Sequence, residues 1–579
     1  MNNPQGETDN RRLLLAVVLS GVVLLLWNYV FPAPPPVKAP PVDAPKAGAV
    51  EGPPAAAAPA TPAAPVIERA VIAQIEEKDH HRVDFTNDDG QIAAWALTEP
   101  QYENTHADGS KSPFRFVGPV DGLIAAATAT ADGRASEDES DKTGIFEPPL
   151  LTLSLGGQPA RGAYTVVEQG PRALTLGWTD PATGVEVTRH YRLDERGYTL
   201  STDLRLENPA GRPIPYDLTA VFRGVQNDKE ATGSMFMPPV YLFETVCKYG
   251  DDFERMPAAE IHERAEDGDP LSFTGVRWAG VDNRYFMTAL LAEEGTLEAC
   301  TSAADREGLP PRFTRLTSTI DLVGGEIPPG GQITRTFTFY AGPKKLSELQ
   351  STTPPTSDAI DFGVWSALCV PMLWVMRFFH GWSGNWGVAI ILLTILVKLI
   401  TLPLTIKQYK SMAGMKKVQP KMKALQEKHK DDKVKLQQEM MALYREHKIN
   451  PLAGCLPMLL MMPIYFALYR TIYSAVELYR ADFMLWLTDL SSQDPYYVTP
   501  LLLGVLMMIQ MKLNPSAAEQ MQQKIIMYVM PVVFTAMMLF LPSGLVIYIL
   551  VNTVLGIAQQ VYMLKQQQDE PTPAPARAR

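Results

Sequence analysis

Cysteine is scarce in this chain, and what is missing around it excludes two kinds of site. The four cysteines stand at positions 247, 300, 369 and 455, with no CxxC pair and no cysteine–histidine group at the spacing of a metal site. Neither a disulfide network nor a zinc site is therefore indicated. A single bridge between Cys247 and Cys300 stays open, and we expect no metal and no cofactor.

Two further absences narrow the function. The chain contains no GxxxxGK[ST] sequence, the loop that binds the phosphates of ATP. Its long apolar segments show no internal repeat and no Asp or Glu, apart from Glu477 just beyond the end of one segment. Because secondary transporters and channels usually carry repeats or acidic relays in their spans, this class of protein is disfavoured.

Charge is divided unequally along the 579 residues. Residues 13–361 contain 29 Lys and Arg against 49 Asp and Glu, a net charge of −20, whereas residues 362–579 contain 21 against 12, a net charge of +9. Such a division indicates that the two parts face different compartments or partners.

The first apolar run covers residues 13–31, about the length that crosses 30 Å of hydrocarbon. Arg11 and Arg12 precede it, so the positive-inside rule keeps the N-terminus in the cytoplasm. The sequence PAPPP follows where a cleavable signal would have small residues. We therefore predict an uncleaved anchor over residues 1–31, with a cleaved signal peptide as the alternative. The Pro- and Ala-rich residues 32–66 predict a stiff spacer.

Residues 67–345 consist of short β-type runs separated by Gly, Pro, Asn and Asp. From Tyr198 to Glu207 mainly apolar residues alternate with polar ones, so the two kinds fall on opposite faces of an extended chain. This alternation predicts a half-buried strand. The whole segment predicts a large, exported β-sandwich. An enzyme acting on a sugar would use His190 and Glu186 of a predicted strand, but a lone histidine is more often structural.

The chain becomes apolar after residue 361. Residues 362–380 carry one Arg and contain Pro371, which favours an amphipathic helix in the membrane interface. Five candidate spans follow, and together with the anchor they predict a polytopic α-helical membrane protein with six transmembrane helices and one large all-β domain. The five spans are residues 385–405, 454–474, 497–512, 525–541 and 544–563, before a tail of residues 564–579.

The loops between these spans give the orientation. Residues 406–450 hold 12 Lys and Arg against 5 Asp and Glu, whereas residues 475–496 hold one Arg against four acids. The positive-inside rule puts the first loop in the cytoplasm and the second outside. With six spans, both termini are then cytoplasmic and residues 32–384 are outside.

Residues 406–450 predict a helical hairpin on the cytoplasmic face, with a turn near Asp431 and Asp432. Two interpretations of its basic charge stay open. It is a docking surface for ribosomes or other partners, or it is only a topology signal that also attracts anionic lipid.

Lys398 interrupts the apolar run ILLTILVKLITLPL and belongs to a polar stripe. Helical spacing places it on one face with Thr394, Thr401 and Thr405. Polar residues also recur on other spans, and we predict that they converge on a hydrated groove. The predicted groove residues are Lys398, Thr394, Thr401, Tyr465, Tyr469, Tyr548 and Asn552.

Other interpretations of these residues remain. Lys398 could snorkel to the interface or pair with an intramembrane carboxylate, although the predicted spans supply none. The tyrosines could belong to an aromatic belt, and Arg470 is predicted to anchor in the headgroups. Gly504 and Gly556 could serve close helix packing.

Four blocks of the second half closely resemble the YidC/Oxa/Alb membrane protein insertases, over residues 362–563 almost continuously. The blocks are NWGVAIILLTILVKLITLPL, QPKMKALQEKHKDDKVKLQQEMMALYREHKINPLAGCLPMLLMMPIYFALY, DLSSQDPYYVTPLLLGVLMM and MQQKIIMYVMPVVFTAMMLFLPSGLVIYILVN. The anchor and exported β domain resemble the Gram-negative YidC arrangement in particular. This implies an inner-membrane protein with a periplasmic β-supersandwich over residues 67–345, similar to sugar-mutarotase folds.

The resemblance also implies a function. Five helices would form an insertase core whose hydrophilic groove opens to the cytoplasm and to lipid and holds one essential positive charge. The protein would insert and help fold inner-membrane proteins, alone or with the Sec translocon, without a catalytic reaction. The implied partners are nascent membrane proteins, the ribosome, the Sec translocon and lipids, with no nucleic acid bound directly except ribosomal RNA.

The chain departs from the family in three places. Members usually have arginine at the position of Lys398, often have a second aromatic residue where Ile549 stands, and often carry a strongly basic tail. A protonated lysine keeps the electrostatic role but cannot make the bidentate contact of a guanidinium. The short tail KQQQDEPTPAPARAR does not favour docking of the ribosome through the tail.

Overall fold

The computed structural model divides into two compact units, with the boundary between Ile360 and Asp361. The predicted anchor, the spacer, the start of the predicted span 525–541 and the end of the tail lie outside the described residues. Each unit is described by itself. The described residues are 68–78, 80–105, 111–119, 145–195, 197–229, 231, 242–429, 432–447, 452–513 and 530–569.

The first unit consists mainly of β-strands. In its described residues two α-helices accompany them, α1 (Ala258–Asp267) and α2 (Leu346–Ser351). The strands are β1 (Val71–Glu77), β2 (His81–Thr86), β3 (Ile92–Leu97), β4 (Asn104–Thr105), β5 (Lys111–Ser112), β6 (Phe114–Val117), β7 (Ile145–Leu155), β8 (Gln158–Pro159), β9 (Thr165–Gln169), β10 (Ala173–Thr179), β11 (Glu186–Leu193), β12 (Thr199–Glu207), β13 (Ile214–Asn227), β14 (Glu244–Tyr249), β15 (Asp252–Pro257), β16 (Ser272–Thr274), β17 (Val276–Asp282), β18 (Phe286–Leu291), β19 (Leu297–Asp305), β20 (Phe313–Ile327) and β21 (Gln332–Pro343).

Two sheets pack face to face and make this unit all-β in class. The first has the order β1-β2-β3-β6-β7-β13-β20-β19-β16 with β8 beside β7, and the second has the order β15-β14-β17-β18-β21-β12-β11-β10-β9. Aromatic rings meet between the sheets, such as Phe222 and Phe339 with centroids 6.0 Å apart. Strand β12 shows why the sequence folds this way, because every second residue, Leu200, Thr202, Leu204 and Leu206, is buried, while the residues between them are more exposed.

A disulfide bond joins Cys247 of β14 to Cys300 of β19. These strands belong to different sheets, and both cysteines are buried. The bond therefore ties the two layers of the sandwich together, which resolves the pairing that the sequence alone left open. Disulfides of this kind are typical of exported domains.

The second unit is helical. Its described helices are α3 (Ser366–Ser383), α4 (Trp386–Lys428), α5 (Lys433–Glu446), α6 (Leu452–Ser474), α7 (Val498–Leu513), α8 (Met530–Met538) and α9 (Ser543–Asp569). Helices α4, α6, α7 and α9 begin within two residues of the starts predicted for spans.

Three stretches of the described chain are long and apolar enough to cross a membrane: Gly363–Ser383, Trp386–Ile406 and Ser543–Met563. Helix α7 is apolar but shorter. The number of six spans therefore stays a prediction. So does the interfacial placement of residues 362–380, because α3 and the turn before it also have the length and composition of a span.

Helix α4 extends beyond its apolar stretch. The candidate span ends at Ile406, close to the predicted end at residue 405, and the helix continues through Pro420 to Lys428, so the first arm of the hairpin belongs to the same helix. Asp432 then caps α5, since its carboxylate accepts a hydrogen bond from the backbone N–H of Lys435 at 2.9 Å. The two arms pack through a small core of Val418, Met422, Leu443 and Tyr444.

Residues 475–497, the cap loop, connect α6 to α7 and hold the starts of two other helices. The amide of Asn385, the residue before α4, donates to the carbonyl of Phe483 at 2.8 Å. The backbone N–H of Ser543, the first residue of α9, donates to the carbonyl of Ser492 at 2.7 Å. One end of each of α4, α6, α7 and α9 therefore lies on the same side of this unit.

Candidate functional site

Lys398 lies on α4, with two of the predicted threonines along the same helix. Thr394 is buried and its hydroxyl donates to the carbonyl of Ile390 at 2.7 Å. The hydroxyl of Thr401 donates to the carbonyl of Val397 at 2.8 Å. Both protons are thus used inside the helix, and the two oxygens keep lone pairs that can accept hydrogen bonds from other groups.

Two residues that the sequence analysis did not assign to the groove lie beside the lysine. Gly556 of α9 is so close that a Cβ atom there would stand 3.8 Å from Nζ of Lys398 and 3.1 Å from Nε2 of Gln510 on α7. The missing side chain at 556 lets the ammonium and the amide come near α9. Side chains of α4 and α7 therefore both approach α9 at Gly556.

The charge of Lys398 has no carboxylate partner in the part of the chain that the structure describes. Two acidic residues of this unit pair with arginines instead. Glu477 accepts from Nε of Arg377 at 2.9 Å, and Asp361 pairs with Arg470. The prediction that Arg470 anchors in the headgroups misses this ion pair, because Asp361 is 109 residues away in sequence.

Tyr465, Tyr548 and Asn552 form a second polar group, between α6 and α9. The amide of Asn552 donates to the hydroxyl of Tyr465 at 3.4 Å, and the rings of Tyr465 and Tyr548 have centroids 6.4 Å apart. Tyr548 is buried, and its hydroxyl has no hydrogen-bond partner among the described residues. Tyr469 lies differently, since it stacks on Tyr473 of its own helix at 5.8 Å.

One face of α9 links these groups. Tyr548, Asn552, Gly556 and Gln559 follow each other at helical spacing. Gln559 was not predicted as a groove residue. Its amide donates to the hydroxyl of Thr405 on α4 at 2.7 Å. This hydrogen bond joins α4 and α9 seven residues beyond Lys398. The signal that could have found it is its spacing, because Gln559 stands seven residues after Asn552 on the same helical face.

The residues considered for sugar chemistry lie on β11. The Nδ1 atom of His190 is 2.9 Å from the hydroxyl of Thr175 on the neighbouring strand, and Glu186 stands opposite Glu207 of β12. In the described ranges, no three His, Cys, Asp or Glu side chains are grouped so that they could hold a metal ion.

Two family models match the chain. The model of the YidC periplasmic domain matches residues 78–375, and the model of the 60Kd inner membrane protein matches residues 378–570. A solved structure described as an active YidC insertase with the first transmembrane domain resolved matches with a TM-score of 0.36 and 17% identity, over 86% of this chain and 95% of that chain.

Curated relatives match over most of their length. The membrane protein insertase YidC of Geobacter sulfurreducens is 39% identical over 411 residues, which are 70% of this chain and 73% of the relative. That of Thiobacillus denitrificans is 33% identical over 587 residues, which are 98% of this chain and 100% of the relative. The chain therefore belongs to the YidC family of membrane protein insertases.

Proposed function

We propose that this insertase works through a hydrated groove in which Lys398 is the cation that receives a polar segment of the incoming protein. The observation that carries the proposal is the position of Nζ, beside Gly556 where side chains of α4 and α7 both approach α9, and without a carboxylate partner among the described residues. An ammonium without a counter-ion in the protein is available to pair with a carboxylate of the substrate.

The energetics favour such a use. A charged side chain costs several kcal/mol at the centre of a bilayer, so the polar end of a substrate resists crossing. At 4 Å and an effective dielectric constant of 20, an ammonium and a carboxylate attract each other by about 4 kcal/mol before desolvation is subtracted. The apolar helix of the substrate then moves into lipid, at about 25 cal/mol for each Å² of apolar surface removed from water. No nucleotide is needed for these steps.

The polar groups around Lys398 have separate roles in this proposal. The oxygens of Thr394 and Thr401 and the amide of Gln510 help to keep water near the ammonium. Tyr465, Tyr548 and Asn552 line the part of the groove between α6 and α9, and Tyr469 supplies an aromatic wall. The groove opens to the cytoplasm and to lipid, and the cap loop closes its other end.

The topology is part of the proposal. Six spans would place both termini in the cytoplasm and residues 32–384 in the periplasm. The four helix ends gathered at the cap loop would then lie at the periplasmic surface, and the α4–α5 hairpin at the cytoplasmic surface. The hairpin offers a site for the ribosome, and cooperation with the Sec translocon is compatible with an open groove. The domain bounds predicted from the sequence are proposed with it.

The test is insertion of a single-span substrate into proteoliposomes that contain the full chain. Lys398→Ala should lower insertion of a substrate with an acidic tail by about tenfold, which corresponds to about 1.4 kcal/mol. Lys398→Arg should keep most of the activity, because the positive charge is retained. Lys512→Ala, at the exposed end of α7, is the matched control and should have little effect.

The substrate provides the second control. When the acidic residues of its tail are changed to amides, wild-type and Lys398→Ala proteins should insert it nearly equally. If Lys398→Ala inserts the acidic substrate as fast as wild type at equal protein level, the proposed role of the lysine is wrong.

A further inference from the structure

A tight turn in the cap loop exposes two large apolar side chains. The backbone N–H of Phe483 donates to the carbonyl of Leu487 at 2.9 Å, and the N–H of Leu487 donates to the carbonyl of Met484 at 3.1 Å. At the tip of this turn Met484 is 51% exposed and Leu485 is 81% exposed. The tip is thus an apolar projection in a loop that otherwise carries many polar residues.

The turn holds its tip in an unusual backbone conformation. Leu485 has a φ of 56°, a region that glycine or asparagine adopts far more easily than leucine. Neighbouring contacts fix it there, since the indole N–H of Trp486 donates to the carboxylate of Asp494 at 3.0 Å. A large apolar residue therefore occupies a rigid, exposed position that does not suit its backbone.

The surroundings of the tip indicate what covers it. Asp494 links the tip to the start of α7, because its carboxylate accepts from the indole N–H of Trp486 and from the backbone N–H of Tyr496, both at 3.0 Å. Tyr496 is exposed, and so are Leu501 and Val505 on the outward face of α7. Tyrosine and tryptophan are the residues enriched where a protein crosses from water into lipid. An apolar tip that is tied to the start of an insertase helix, beside exposed apolar and aromatic residues, fits contact with the bilayer.

Two of the four acidic residues of the cap loop make hydrogen bonds within the loop, whereas Asp482, two residues before the tip, is exposed. The carboxylate of Asp494 accepts from the backbone N–H and the hydroxyl of Thr499, both at 2.7 Å. That of Asp489 accepts from the hydroxyls of Ser491 and Ser492, both at 2.7 Å. Their hydrogen bonds are thus made inside the loop, which lowers the cost of placing it against headgroups.

We propose that the Met484–Leu485 tip inserts into the acyl boundary of the membrane leaflet on its own side, with the neighbouring aromatic residues at headgroup level. The topology proposed above makes this the periplasmic leaflet. Only the name of the leaflet rests on that topology. The tip belongs to the non-helical part of the protein, so it adds a lipid contact that the spans do not provide.

This insertion fixes the depth of the site. The ring of Phe483 lies against Gly387 so closely that a Cβ atom there would overlap it at 1.9 Å. Lys398 follows Gly387 by eleven residues of α4, or about 16 Å of helix. A turn held at the acyl boundary therefore keeps the ammonium near the middle of the hydrocarbon core, which is about 30 Å thick.

The test measures the depth of the tip in the full chain. With Cys369 and Cys455 replaced by serine, an environment-sensitive dye is attached to Leu485→Cys or to Gln493→Cys, an exposed position of the same loop outside the apolar surface. In phosphatidylglycerol–phosphatidylethanolamine vesicles, nitroxide lipids labelled near the headgroup should quench the dye at 485 at least threefold more than the dye at 493. Quenching does not depend on which way the protein faces.

Equal quenching at both positions, together with equal access of iodide, would overturn the proposal and point to a protein partner for the tip. A second pair of variants guards against misfolding, since Leu485→Gly and Leu485→Asn both suit the positive φ. With the dye at Met484→Cys, Leu485→Asn should reduce the quenching severalfold and Leu485→Gly less. Unchanged quenching in both would also overturn it. Because insertion activity is not the readout, failure here is distinct from failure of the role of Lys398.

Discussion

The same substitution at two glycines of the membrane unit should have opposite effects on stability. At Gly504 of α7, a Cβ atom would stand 2.3 Å from the hydroxyl of Thr535 on α8. At Gly556 of α9, it would stand 3.1 Å from the end of the flexible Gln510 side chain. Relieving the first contact means rotating the Thr535 hydroxyl out of its hydrogen bond to the carbonyl of Pro531, and its Cβ would still stand at 3.2 Å, whereas the second contact can be relieved by a small rotation of the amide.

The magnitudes follow from two opposing effects. Replacing glycine by alanine inside a helix stabilises it by up to about 1 kcal/mol, since alanine loses less backbone entropy. Overpacking costs about 1–3 kcal/mol. Gly556→Ala should therefore be neutral or stabilising by up to about 1 kcal/mol, and Gly504→Ala should destabilise by about 1–2 kcal/mol.

Thermal unfolding in detergent measures this difference in a Cys455→Ser background, with a thiol-reactive dye that reports exposure of the buried Cys369. Insertion assays add a functional arm, because Gly556→Leu would extend the side chain onto Nζ of Lys398. That variant should stay folded but lose about tenfold in insertion of an acidic substrate. A Gly504→Ala protein as stable as Gly556→Ala, or a fully active Gly556→Leu protein, would refute the reasoning.

Two further predictions concern the β unit. Burial and the neighbouring His80 lower the pKa of His81 to about 3, so the folded state binds its proton less readily than the unfolded state, whose pKa is about 6.5. The contribution of neutral His81 to the free energy of unfolding is fully present above pH 6.5 and is lost as the pH falls towards 3. At pH 5 the loss is about 2 kcal/mol. His81→Leu should flatten this dependence in thermal unfolding at pH 5.0 and 7.5, because both ring nitrogens lack partners among the described residues; an unchanged slope would contradict it. Cys300→Ala opens a loop between cysteines 53 positions apart and should lower the stability of the β unit by up to about 4 kcal/mol. Without reductant, urea unfolding should separate the variant from wild type, and with reductant the two should coincide; equal midpoints in both conditions would argue against the bond.

Local patterns carried most of what the sequence could predict. Alternation along β12 and the apolar lengths at residues 385–405 and 544–563 depend on neighbours in the chain, and local sterics translate them directly into strands and helices. The face of α4 that carries Lys398 is local in the same sense.

Contacts between distant residues could not be predicted in this way. Gln510 and Lys398 both approach α9 at Gly556, where no side chain stands in the way, and no periodicity of α7 marks Gln510. Cys247 and Cys300 pair because β14 and β19 lie in different sheets that face each other. Arg470 has the sequence context of a headgroup anchor, but its partner Asp361 stands just before α3.

The long helix α4 separates two mechanical roles. Its 43 residues form a rod of about 64 Å that starts under the cap loop and ends in the hairpin. Pro403 has no N–H for the carbonyl of Leu399, and Pro420 has none for the carbonyl of Lys416, so the rod can bend at both points, the first of them five residues beyond Lys398. A partner that exerts force on the hairpin would therefore bend the helix beyond Lys398. The segment that carries Lys398 would keep its position, because the cap loop holds the start of α4.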